Sequence, residues 1–243
     1  IGFGVGQYTQ GQDAVSIGSN TGVNVQGLRG VAIGLNAGVT YQGIDSIAIG
    51  TNSGYLTQGA QSVAIGYYSG STVQGANAVA VGASAGQETQ GSAAIAIGYQ
   101  AGQTVQSLNS IAIGVTAGKG TQGSAAIAIG YFAGGTRQGT SSIAIGNTAG
   151  ASFQASGSIA IGVTAGQNSQ GRDSIAIGVL SGQIAQGTNS LAIGYTAGQT
   201  TQASGGVAIG YTAGNNVQGP NAIAIGSFSG QFTQGTYSVA IGY

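Results

Sequence analysis

The sequence contains no Cys, His, Met or Trp, and a single Pro, Pro220. Without Cys there is neither a disulfide framework nor a thiol nucleophile. Without His and Cys the ordinary zinc, haem and iron–sulfur sites cannot be built. A Ser-His-Asp triad is excluded for the same reason. Charge is scarce as well: four basic and four acidic residues, 3% of the chain, give a net charge of zero. An ordinary globular domain carries about 25%. Four cations cannot follow a phosphate backbone, so nucleic acid is not an expected partner. No uninterrupted apolar run reaches the length of a membrane-spanning helix, and no membrane insertion is expected. The few charged residues form no carboxylate pair suited to acid–base chemistry, so no catalytic residue, metal or cofactor is assigned.

What the chain does have is glycine, 50 of 243 residues, and a hydrophobic content of 42%. Regularly placed Ile and Val separate it from disordered sequences. Gly does not recur at every third position, so the chain is not collagen. The period is 16, without insertion or deletion. Gly2, Gly18, Gly34 and their equivalents to Gly242 are invariant, as is the column from Gly6 to Gly230. The strictest polar column is Gln: Gln10, Gln26, Gln42, Gln58, Gln74, Gln90, Gln106, Gln122, Gln138, Gln154, Gln170, Gln186, Gln202, Gln218 and Gln234. Gly follows it in 12 of 15 cases, the exceptions being Ser107, Ala155 and Ala203. A consensus reads S-I-A-I-G-Y-T-A-G-Q-T-T-Q-G-T-N.

Sixteen residues are too few for most helical repeats. The S-I-A-I-G segment alternates with period 2 and is rich in strand formers. Each repeat therefore reads as one coil of an all-β parallel solenoid, about 15 coils in a single array over residues 1–243. One strand is expected around Ser158–Ile161 and its equivalents, and a weaker one over Gln199–Gln202 and its equivalents. At about 4.8 Å per coil the array would be a rod of roughly 70 Å. The sequence opens and closes inside a repeat with no atypical end repeat, which suggests a segment of a longer or end-to-end stacking fibre.

Alternation assigns two faces. Hydrophobicity places Ile47, Ile49, Ile95, Ile97, Ile111, Ile113, Ile159 and Ile161 in a thin core. The other face then holds Ser62, Ala64, Gly66, Ser110, Ala112, Gly114, Ser158, Ala160, Gly162, Ser174, Ala176 and Gly178. That flat strip of small side chains is read as an interface between copies of the chain, because water-exposed sheet faces usually carry polar or charged groups. The Gln column is read as an inward or half-buried structural ladder of stacked amides that closes one end of the core. Asp13, Arg29 and Asp45 share one column and should form a surface ladder of alternating sign, worth little when exposed. Tyr67, Tyr99, Tyr131, Tyr195, Tyr211 and Tyr243 share another, with Phe3. That column is read first as corner bracing and second as a sugar- or surface-binding stripe.

The segments S-I-A-I-G (Ser110–Gly114), S-V-A-I-G (Ser62–Gly66) and A-I-A-I-G-Y-Q-A-G (Ala94–Gly102) resemble the head repeats of trimeric autotransporter adhesins, the YadA-like heads. Similar strings occur in phage and viral fibre proteins. The resemblance implies a left-handed β-roll, three chains side by side and attachment to surfaces. The period of 16, against about 14 in that family, and the added Q-G corner depart from it. Together these readings suggest a non-enzymatic structural fibre or adhesin rod at a cell or virion surface. It would associate with copies of itself through the small-residue face and by axial stacking, with a cell or glycan surface as a further partner. The alternative is an ice-binding solenoid using the same flat face.

Overall fold

The computed structural model describes Ile1–Tyr243. The chain is an all-β parallel solenoid with two strands in each of about 15 coils and no helix. It divides into two compact units, Ile1–Ala125 and Ala126–Tyr243. In both units a coil repeats the same pattern. A three-residue strand such as Ile47–Ile49 is followed by a turn, a two-residue strand such as Thr57–Gln58, and a second turn. The expected strands are found in shorter form, at Ile159–Ile161 and Thr201–Gln202. The first stops at Gly162 (φ +132°), and the second runs into a turn that reverses at Gly205 (φ +69°).

Because the period never slips, like pairs with like. Ile47, Ala48 and Ile49 lie against Val63, Ala64 and Ile65 of the next coil, and Thr57 and Gln58 against Val73 and Gln74. Backbone bonding between coils continues through the turns, as in Gly50 N–H to Ile33 O at 2.8 Å and Gly54 N–H to Ser69 O at 3.0 Å. Nearly the whole coil, not only its strands, is thus tied to its neighbours. This is the accounting that buried backbone demands.

The two faces of the long strand are the reverse of what hydrophobicity assigns. Ala48, Ala64, Ala80, Ala96, Ala112, Ala160 and Ala176 are completely buried, as are Ser62, Ser110, Ser158 and Ser174. Gly66, Gly114, Gly162 and Gly178 are half-buried. The strip read as an interface between chains is therefore the inner wall of the solenoid. Ile47, Ile49, Ile95, Ile111, Ile159 and Ile161 are only half-buried, and Ile97 and Ile113 are 40% and 37% exposed. They point outward. The reason is width. The largest side chains with less than 2% exposure are all Gln, so the interior has room for one long amide from the short strand and only Ala, Ser or Gly opposite it. Two ranks of Ile would not fit between the walls.

Two glycine columns keep that spacing. Gly66 has φ +131°, and a Cβ there would lie 2.6 Å from the carbonyl oxygen of Gly82 in the next coil. Gly54 has φ +53°, and a Cβ there would lie 2.8 Å from Gln58 Oε1. The second contact couples an invariant Gly to the invariant Gln, since one makes space for the other.

Candidate association surface

The interior is held by the Gln side chains, so they come first. Gln90 Nε2 donates to Val79 O at 2.8 Å, to Ala94 O at 3.2 Å and to Gln106 Oε1 at 3.1 Å. The bond to a backbone carbonyl of the long strand recurs coil after coil: Gln42 to Val31, Gln58 to Ile47, Gln154 to Ile143, Gln202 to Leu191. Each such amide bridges the two walls. Contacts from amide to amide also occur, as in Gln74 to Gln90 and Gln218 to Gln234 at 3.1 and 3.2 Å. Gln10, in the first coil, is exposed. The serines of the inner strip donate to the turn before them, for example Ser62 Oγ to Gly59 O and Ser158 Oγ to Ala155 O, both 2.6 Å. Their hydroxyls close a corner and are unavailable to a partner.

Strand alternation then dictates the outside. With Ala turned in, the residues flanking it stand out on the long-strand sheet in two ranks. One rank is Ile17, Ile33, Ile49 and onward, and the other Val15, Val31, Ile47 and onward. Both ranks are apolar in every coil. Beside them the next outward column carries Leu35, Tyr67, Tyr99, Val115, Tyr131, Val163, Tyr195 and Tyr211, all 45–57% exposed. Soluble monomers rarely present contiguous apolar patches above a few hundred Å².

The charges avoid this stripe entirely. Asp13, Arg29, Asp45 and Asp173 share the column at one turn, next to Arg172, and Glu88, Lys119 and Arg137 lie on or just before the short strand. Arg29 and Asp45 make a two-pronged pair, Nε to Oδ1 at 2.6 Å and Nη2 to Oδ2 at 2.8 Å. That hydrogen bond holds the Asp45 carboxyl below the usual carboxylate range and raises Arg29. Asp13 adds only a through-space charge to Arg29, so the expected three-residue ladder reduces to one pair and a neighbour. Arg137 sits over the Phe153 ring, 5.3 Å from its centroid.

The Tyr column is a bracing stack where neighbours permit. Tyr195 and Tyr211 lie face to face, with centroids 5.3 Å apart and planes 9° from parallel. Tyr211 then meets the edge of Phe228, which meets Tyr243. The facing surfaces of Tyr195 and Tyr211 are occupied by each other and are closed to a sugar ring between them. One outer feature has no counterpart in the expectations: a second amide row. Gln103 Nε2 donates to Gln87, Gln183 to Gln167, Gln199 to Gln183 and Asn215 to Gln199, at 2.9–3.1 Å. Its signal was available, since Gln recurs in that column from coil to coil. The surface has no pocket, and no three His, Cys, Asp or Glu gather where they could hold a metal ion. No helix is long and apolar enough to cross a membrane.

Three stretches of the chain match a known repeat. They are similar to the YadA head domain repeat. The matched residues are 26–53, 58–85 and 138–165, roughly a third of the chain. All three matches have the same phase: each begins on a column Gln (Gln26, Gln58, Gln138) and ends on a buried small residue (Ser53, Ala85, Ala165). The part shared with the YadA head repeat therefore contains the features that build the interior: amide, corner, Ala strand and small residue. No curated protein matches the sequence.

Proposed function

We propose that the chain is a structural, surface-exposed adhesin-type segment, non-enzymatic and extracellular, that associates side by side with copies of itself through the outer Ile/Val stripe. The observation that carries this reading is the pairing of two unbroken apolar ranks with the absence of any charge on them, while the eight charged residues crowd onto the other faces. The stripe runs through every coil of a unit, and a standard interface takes about 800 Å² from each partner. The similarity to the YadA head repeat supports the surface location and the assembly. The ice-binding alternative needs the Ser-Ala-Gly strip as its outer face, and that strip is buried.

The test is sedimentation velocity over a hundredfold range of concentration, on the native chain and on an Ile97→Lys, Ile113→Lys double variant. Both side chains are outward, so the variant should keep the native circular dichroism spectrum. The native chain is expected to form a defined oligomer and the variant to remain monomeric. A native chain that stays monomeric throughout defeats the proposal.

A further inference from the structure

The composition leaves the chain with one kind of readily oxidised side chain. Cys, Met, Trp and His are absent, and there are 11 Tyr. Any one-electron oxidant acting on this protein must therefore act on phenol rings. Most of these rings stand apart. In their shared column Tyr67, Tyr99 and Tyr131 are separated by Ala83 and Val115, and Asn147 follows in the next coil. Tyr67 and Tyr68 touch, 4.5 Å apart and nearly perpendicular, but they are chain neighbours, so joining them would tie nothing distant together. Tyr243 meets only Phe228 in its ring contacts. Tyr195 and Tyr211 alone in this column occupy consecutive coils, stacked at 5.3 Å and 9°. They are 47% and 50% exposed and so open to an oxidant.

We infer that Tyr195 and Tyr211 are an oxidative cross-linking site, at which a peroxidase-type oxidant joins consecutive coils through a dityrosine bond. The oxidant is hydrogen peroxide acting through a haem peroxidase or an equivalent one-electron catalyst. Each phenol gives up one electron and its hydroxyl proton to become a phenoxyl radical. The two radicals pair to form one carbon–carbon bond between ring positions ortho to the oxygens. The hydrogens on those two carbons then pass as protons to the phenolic oxygens as the rings regain aromaticity. The two electrons and two protons released reduce one peroxide to two waters. Holding the rings in contact makes the coupling effectively unimolecular, which favours it over reaction between chains. The product does for this disulfide-free chain what a cystine does elsewhere: it closes a loop of one coil and restricts the unfolded chain. The bond forms within one molecule, so the inference does not depend on side-by-side assembly.

The experiment treats the dilute full chain with a haem peroxidase and limiting peroxide. Three readouts follow: dityrosine fluorescence on a denaturing gel, intact mass, and peptides from a pepsin digest. The expected result is fluorescence in the monomer band, a mass lower by two hydrogens, and a cross-linked peptide pair containing Tyr195 and Tyr211. Tyr195→Phe and Tyr211→Phe each retain the ring and hence the stack, and each should remove that peptide pair and lower the monomer-band fluorescence with an unchanged circular dichroism spectrum. Three outcomes overturn the inference: no dityrosine in the native chain, fluorescence confined to dimer bands, or monomer-band fluorescence undiminished in either variant.

Discussion

The smallest unit of the design is the contact between one buried amide and the Ala opposite it. Gln58 Nε2 is well used, donating to Ile47 O at 2.7 Å, but Gln58 Oε1 is buried without a hydrogen-bond partner, as are Gln42 Oε1, Gln154 Oε1 and Gln170 Oε1. One coil supplies a remedy. Ser16, the single departure from Ala in its column, donates its hydroxyl to Gln26 Oε1 at 2.8 Å. Ala48 occupies the equivalent place opposite Gln58, fully buried. Ala48→Ser is therefore expected to leave stability unchanged or raise it by up to about 1 kcal/mol, against the usual rule that a buried hydroxyl costs. Ala48→Val adds volume and no donor, and should cost about 1–3 kcal/mol by overpacking. Urea unfolding midpoints of the two variants decide the matter, and a Ser variant as damaged as the Val one would show that the oxygen has no use for a donor.

At the scale of the strand and turn, most of the architecture was legible and its polarity was not. Period, strand positions and the Gln column follow from recurrence alone. Which face turned inward did not, because a two-residue alternation is symmetric and a one-residue change of facing exchanges every side chain. Ranking by hydrophobicity chose Ile47 and Ile49, but volume governs a coil this narrow. A usable signal lay in the variability: the Ala column departs once, at Ser16, and stays small there, whereas the flanking column accepts Val, Ile and Leu191. Tolerance of shape marks the open side. Glycine shows the same logic. Gly66→Ala would put a methyl 2.6 Å from Gly82 O at φ +131°, so a loss of about 3 kcal/mol or more is expected. Gly30 has no positive φ and stands in a column that holds buried Ala78 and Ala94 in other coils, so Gly30→Ala should change stability by less than about 0.5 kcal/mol. Equal effects at the two sites, measured by thermal unfolding, would mean that close coil-to-coil approach does not set the glycine requirement.

Across the whole molecule two properties follow from composition and period. The first is indifference to pH. Asp45 is held below its ordinary range through its bond to exposed Arg29. A depressed folded pKa contributes stability that is present above the unfolded value of about 3.9 and is lost as pH falls further, through the folded value. Arg29, raised, loses its share only in strong alkali. With no His in the chain, the unfolding midpoint should stay flat between about pH 5 and pH 7 and decline slightly in acid. A sloping profile within that window would point to a titrating group that the composition does not supply.

The second property is tolerance of length in whole periods. In repeat proteins stability is approximately a sum of repeat and neighbour terms. Here each coil bonds to the next at identical positions, so removing one full period leaves every column in place. Deleting residues 83–98 joins Gly82 to Tyr99, and the Ala, Gln and Gly columns of the first unit remain continuous. Deleting residues 83–90 joins Gly82 to Gly91, which sets a Gln-following turn where a corner should form and brings outward Ile opposite the wrong wall. The longer deletion should therefore give a folded chain with the native circular dichroism spectrum per residue and a slightly lower urea midpoint. The shorter one should break the first unit at the junction, with loss of spectrum and early proteolysis there. Were the two deletions equally tolerated, register between coils would not be what holds the solenoid together, and the buried Gln-to-carbonyl bonds could not have the role given to them here.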